Sequence, residues 1–174
     1  MGVITYDDLP KIRALHKEKK IVFCSGTFDL THAGHVLFFE DCKRLGDILV
    51  VAVGDDVTVR EYKGPRRPYQ NEHIRLKMVN ALKPVDYALL DTPRKVGENE
   101  FFSPLSLIFD KLKPEYYAIN EDGFSVSRVT QLARAFGVEP VILRRTCPRE
   151  FGDISTTKLV RSILEDSIQV ERRD

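Results

Sequence analysis

Two histidines three residues apart, His32 and His35, close the run Gly26-Thr27-Phe28-Asp29-Leu30-Thr31-His32-Ala33-Gly34-His35. The run follows the apolar Ile21-Val22-Phe23 and leads into a segment with helical periodicity. It therefore sits where a strand should turn into a helix. Three chemistries are open to such a pair. Residues i and i+3 share a helix face, so the rings could ligate a metal. Zinc would need one or two further ligands, and the nearby soft one is Cys42. The pair could equally be structural, satisfied by neighbours. The third chemistry is phosphate binding. A helix start offers free N–H groups and a positive dipole end. Gly34 lets backbone come close to a ligand. Two imidazoles there can donate to phosphate oxygens as negative charge builds up.

A second constellation is Ile154-Ser155-Thr156-Thr157-Lys158-Leu159-Val160-Arg161. Asp153 or Ser155 reads as an N-cap, and the hydroxyls that follow are ordinary for a capped helix. Lys158 and Arg161, however, bring two cations near that helix start, where they oppose the dipole unless an anion is held there. Lys63, Arg66 and Arg67 form a basic loop framed by Gly64, Pro65 and Pro68. It reads either as solvated charge or as a flap that closes over a polyphosphate. Asp55, Asp56, Glu121 and Asp122 fall at strand ends, where carboxylates hold Mg²⁺ or accept from sugar hydroxyls. N-capping is the competing reading for Asp55 and Asp56. Neither Gly-x-Gly-x-x-Gly nor Gly-x-x-x-x-Gly-Lys-[Ser/Thr] occurs, which argues against an ordinary dehydrogenase or P-loop kinase.

The elements that position these groups follow from apolar patterning. Short apolar runs predict strands over 20–25, 48–53, 85–90, 116–119 and 138–143. Helical spacing predicts helices between them, over 36–45, 54–62, 71–82, 105–112, 125–136 and 155–165. The apolar side of the 71–82 helix is expected to be Ile74, Met78, Val79 and Leu82. A leading helix is expected within residues 1–19, a polar loop over 91–104 and a tail over 166–174, frayed from Val170. The alternation implies an α/β fold: Rossmann-like, doubly wound, with a five-stranded parallel sheet and helices on both faces. In such sheets ligands bind beyond the carboxyl ends of the strands, where the strand order reverses.

The chain has 174 residues, 43% hydrophobic and 30% charged, with a net charge of +1. One domain spanning 1–174, with no internal repeat or linker, is the expectation. That charge gives no footing for broad binding to nucleic acid or an acidic membrane, so any anion is held locally. No apolar run is long enough to cross a bilayer and no signal peptide is apparent at the N-terminus. Cys24, Cys42 and Cys147 are odd in number and widely spaced, as expected of thiols in a reducing cytoplasm.

Taken together, Gly26-Thr-Phe-Asp-x-x-His32-x-Gly-His35 and Ile154-Ser-Thr-Thr157 resemble the cytidylyltransferase-like nucleotidyltransferases, over about residues 18–165. Lys63-Gly-Pro-x-Arg-Pro68 and Ala135-Phe-Gly-Val-Glu-Pro-Val-Ile-Leu143 resemble the heptose-1-phosphate adenylyltransferase branch. The wording of the two motifs is closer to glycerol-3-phosphate cytidylyltransferase. Asn120-Glu121-Asp122-Gly123 departs from both branches. The resemblance implies catalytic roles for His32, His35 and Lys63 on a triphosphate. It implies nucleotide contacts at Gly26, Thr27, Phe28, Gly34, Asp122, Ser155, Thr156, Thr157 and Arg161. It implies acceptor contacts at Asp56 and Arg75, with no protein metal cage, Mg²⁺ arriving with the nucleoside triphosphate, and a homodimer. The reaction it implies moves a nucleotidyl group from ATP or CTP to a phosphorylated sugar or polyol and releases pyrophosphate.

Overall fold

A computed structural model describes residues 2–92, 103–123, 125–145, 147–152 and 154–171, without the side chains of 103, 104 and 167–171. In chain order the elements are β1 Gly2–Ile4, α1 Leu9–Leu15, β2 Ile21–Gly26, α2 Ala33–Arg44, β3 Ile48–Gly54, α3 Asp56–Lys63 and α4 Glu72–Asn80. There follow β4 Tyr87–Asp91, α5 Ser103–Leu112, β5 Tyr116–Asn120, α6 Val126–Ala135, β6 Glu139–Leu143, a 3₁₀ turn Arg149–Phe151 and α7 Thr156–Glu171.

The sheet is entirely parallel, in the order β1-β4-β3-β2-β5-β6. It has six strands rather than the expected five. The additional strand, β1, pairs Gly2, Val3 and Ile4 with Tyr87, Ala88 and Leu89. Three residues carry no readable period, and only pairing with a distant edge makes them a strand. From β2 the chain runs to β3 and β4 on one side, then crosses to β5 and β6 on the other. The order thus reverses at β2 and β5, which puts the ligand crevice beyond their carboxyl ends.

Buried strands explain the continuous apolar runs, since both faces are covered. In β3, Ile48, Val50 and Ala52 pack on one side with Leu9 of α1, Ile108 and Phe109 of α5 and Ala133 of α6. Leu49, Val51 and Val53 pack on the other side with Phe39 and Cys42 of α2 and Val79 of α4. Fully burying each large aliphatic or aromatic side chain is worth roughly 1.5–3 kcal/mol, which holds the strand ends and their loops in fixed relation.

Three expectations are corrected. The buried face of α4 carries Arg75 and Val79, while Ile74 and Met78 are exposed. A buried arginine defeats an apolar-pattern reading, so the helix is rotated relative to the expected face. Lys63 is the last residue of α3 rather than part of the following loop. Finally, α7 continues to Glu171 rather than ending near Glu165, so it takes in 166–169 and the first two residues of the stretch expected to fray. The expected cap Asp153, most of the 91–104 loop and the terminal 172–174 lie outside the described residues.

Candidate active site

The turn after β2 is held in an unusual backbone. Phe28 and Leu30 both lie in the left-handed region, with φ of 51° and 47°. For non-glycine residues that costs of order 1–3 kcal/mol each and persists only where surroundings impose it. Phe28 is buried and packs against Phe39 and edge-on against the ring of His35. A Cβ on Gly26 would stand 2.8 Å from the Phe28 ring, so glycine is required there.

Both histidines cap α2. The Gly34 N–H donates to His32 Nδ1 at 3.1 Å, and the His32 N–H donates to His35 Nδ1 at 3.3 Å. The rings stack with centroids 3.9 Å apart. A Cβ at Gly34 would lie 3.0 Å from the His32 ring, so this glycine makes room for the imidazole. Each Nδ1 accepts a hydrogen bond from a backbone N–H, so in the neutral ring the proton must reside on Nε2. Burial and then neighbouring His32 and Lys63 push the His35 pKa down to about 3, and burial and then Arg145 lower that of His32. Both rings are therefore neutral near pH 7 and offer Nε2–H as their remaining donor. Among the described residues no cluster of three His, Cys, Asp or Glu is arranged to hold a metal.

The rings line a cavity of about 520 Å³ beyond β2 and β5. Gly34, Lys63, Ser155, Thr156 and Thr157 line it too. Burial and then nearby Arg67 lower the Lys63 pKa, as for a cation held at a dry, positive site. Ser155 Oγ accepts from the Lys158 N–H at 3.3 Å, and Thr156 Oγ1 donates to the Asp29 carbonyl at 2.9 Å. The second motif is thereby tied directly to the first, across 127 positions of sequence.

Other expected residues fall outside the described lining of this cavity. Thr27 is buried, and its hydroxyl pairs with that of Tyr62. Gly26 and Phe28 support the turn from beneath. Asp122 pairs with Arg145 at 2.6 Å, and Arg161 is an exposed residue further along α7. Asp56 and Arg75, expected to meet the acceptor, meet each other at 2.7 Å. Arg75 is completely buried and also donates to the carbonyls of Thr27 and Gln70. Its place is beneath the site, stitching the turn to the loop after α3.

The topology also brings in cations not singled out from the sequence: Arg144, Arg145 and Arg149 line the cavity, with Arg67 of the expected basic loop and Asn120 from the end of β5. Arg144, Arg145 and Arg149 belong to one short run after β6, which the strand order puts opposite the histidines. Asp41 is the one carboxylate among the described lining residues, and it is ion-paired with Arg44. The site is thus strongly positive and suited to a polyphosphate.

Parallel sheet, switch-point cavity and paired motifs define a nucleotide-binding α/β enzyme. The family described as Cytidylyltransferase-like matches residues 23–162, and the chain belongs to that family. It is a nucleotidyltransferase. It is 34% identical over 145 residues to an FAD synthase of Archaeoglobus profundus, covering 83% of this chain and 86% of that one. It is 35% identical over 153 residues to the bifunctional protein HldE of Alcanivorax borkumensis, covering 84% of this chain but only 28% of that larger protein. Among solved structures, a lipopolysaccharide core biosynthesis protein of Thermoplasma volcanium GSS1 superposes with a TM-score of 0.58 at 28% identity, over 75% of this chain and 98% of that one. Among the described residues no helix is long and apolar enough to cross a membrane.

Proposed function

We propose that this chain transfers an adenylyl group from ATP to a phosphate monoester of a sugar or polyol, as a heptose-1-phosphate adenylyltransferase does. The observation that carries this reading is the meeting of two neutral Nε2–H imidazoles, Lys63, several arginines and the start of α7 around one cavity. An acceptor phosphate oxygen attacks the α-phosphorus in line. A new P–O bond forms as the bond to the β-phosphate oxygen breaks, and pyrophosphate leaves with the electron pair. The acceptor is already anionic, so no general base is required. His32 and His35 donate to oxygens on which charge develops, which is the kind of preorganised help worth most in a water-poor site. An arriving phosphate beside Lys63 opposes the burial that lowers its pKa and keeps it charged.

The described lining residues offer at most one carboxylate, Asp41, to a cation. That suits Mg²⁺, which keeps its waters and binds mainly through substrate phosphates. It would supply charge neutralisation on the triphosphate. Ser155, Thr156 and Thr157 hold the departing phosphates at the start of α7.

The FAD synthase likeness, which spans most of both chains, supports a second reading in which flavin mononucleotide is the acceptor. Glycerol 3-phosphate with CTP is the third. All three acceptors are phosphate monoesters. ATP and CTP, each paired with heptose 1-phosphate, glycerol 3-phosphate or flavin mononucleotide and read as pyrophosphate release, separate them. Release with ATP and heptose 1-phosphate supports the first reading. Release only with flavin mononucleotide replaces it with the second, and no release with any pair overturns transfer to these acceptors. We further propose a homodimer, supported by the exposed Leu159, Ile163 and Leu164 on α7 and checked by light scattering. A cytoplasmic setting is supported by the free thiols of Cys24, Cys42 and Cys147.

A further inference from the structure

Asp29 is 4% exposed, yet nothing in the transfer chemistry uses its carboxylate. Burying a carboxylate costs several kcal/mol unless its oxygens are matched with donors. Here the donors come from one place. Oδ2 accepts from Arg67 Nη1 at 3.0 Å and from the Tyr69 N–H at 2.8 Å, and Oδ1 accepts from the Gln70 N–H at 3.0 Å. The Asp29 carbonyl takes the Thr156 hydroxyl at 2.9 Å. One residue therefore binds the loop after α3 through its side chain and α7 through its backbone. It does so from a turn whose flanking residues, Phe28 and Leu30, hold positive φ.

The loop after α3 has two different halves. Gly64 to Arg67 closes as a local turn, with the Arg67 N–H on the Gly64 carbonyl at 3.1 Å. Tyr69 and Gln70 are fixed from outside. The Gln70 peptide is gripped on both sides, its N–H by Asp29 and its carbonyl by Arg75 Nε at 2.9 Å. Arg67 lies between the halves. Its guanidinium pairs with Asp29, stacks over the Tyr69 ring at 4.5 Å from the centroid, and lines the cavity.

We propose that Asp29 is a positioning residue that pins the 68–70 backbone and Arg67 against the His-x-Gly-His turn and so sets the cation array around the phosphates. This rests on the nucleotidyl-transfer reading for its purpose, but the pin itself does not. Any closing movement of the basic loop is then confined to the stretch from Gly64 to Arg66, with Lys63 anchored at the end of α3. The start of α7 is tethered to the same residue, so a ligand that orders one segment also restrains the other.

The test uses the whole chain with and without ATP. In the unsubstituted protein, hydrogen exchange at the Tyr69 and Gln70 amides should be about tenfold slower or more than at Arg66. Equal rates overturn the pin without recourse to any variant. Asp29→Asn keeps the shape but removes the charge. It should speed tryptic cleavage after Lys63 and Arg66 by about tenfold and raise the KM for ATP by a similar factor, more than it changes the KM for the acceptor. Arg67→Gln should raise the KM for ATP while leaving the Tyr69 and Gln70 amides protected, because their acceptor remains. An Asp29→Asn protein with unchanged cleavage and an unchanged KM for ATP overturns the proposal. Protected amides in a protein that releases no pyrophosphate uphold the pin and sink the transfer reading instead.

Discussion

Two helices, α2 and α7, begin at the same cavity and are built to opposite specifications. The start of α2 is tightly braced. Its first amides are spent on stacked imidazoles, the turn before it holds two left-handed residues, and Phe28 seals it from below. The start of α7 is more loosely held. It carries a serine cap and one hydroxyl tether, and it follows an exposed 3₁₀ turn closed by its own bonds from Phe151 to Pro148 and Gly152 to Arg149. Under the proposed transfer, the stiff end faces the phosphorus where charge develops. The yielding end faces the pyrophosphate that must leave. Preorganised donors help most where charge appears, while a product that must dissociate is better held by groups that can move.

The largest expected effect falls on the stiff end. His35→Ala should lower turnover by about 3 kcal/mol of barrier, the scale of losing one transition-state donor, measured as pyrophosphate release from a variant whose folding is verified by melting. A folded variant with unaltered turnover would erase the distinction between the two helices.

Acid should act on the same end. The folded pKa of His35 is about 3, against an ordinary value of 6.5. The unfolded chain therefore takes up this proton first. The stability associated with neutral His35 is complete above pH 6.5 and is lost as pH falls toward 3, with a slope of up to about 1.4 kcal/mol per pH unit. His35→Gln should flatten the melting temperature between pH 6.5 and 5, and a slope unaltered by the substitution would show that His35 is not the group responsible. For the same reason, the acid limb of turnover should not sit at an ordinary histidine value.

Effects at the yielding end should be smaller. Thr156→Val removes the tether to the Asp29 carbonyl and should cost about 1 kcal/mol of stability by chemical denaturation. Ser155→Ala removes the cap and should cost roughly 0.5–1 kcal/mol, with ATP affinity by calorimetry weakened only severalfold. Losses at α7 equal to that of His35→Ala would mean both ends contribute alike.

The sheet core and the two motifs were legible because each depends on local pattern. Ile48 to Val53 is a buried strand by composition alone. What escaped depends on distant partners. β1 exists through pairing with β4, and the orientation of α4 follows from an arginine buried against two carbonyls and Asp56. Arg144, Arg145 and Arg149 gain meaning only once β6 is known to lie two strands from β2. Asp29 was in plain sight within the first motif, but its role is set by amides 40 residues away. A side chain whose partners are main-chain groups of another segment leaves no trace in spacing.

The reciprocal capping of α2 has a consequence of its own for reach. A helix terminus normally presents its amide protons directly, and an anion must come to the backbone to meet them. Here each imidazole receives such a proton on one nitrogen and offers another from the opposite edge of the ring. The rings work as extension pieces, carrying the helix's positive pole outward by the width of an imidazole. Hydrogen bonds in series polarise one another, so the outer proton is made a better donor by the inner one. Under the proposed transfer, the terminus would act on phosphate oxygens that the peptide backbone itself never needs to touch.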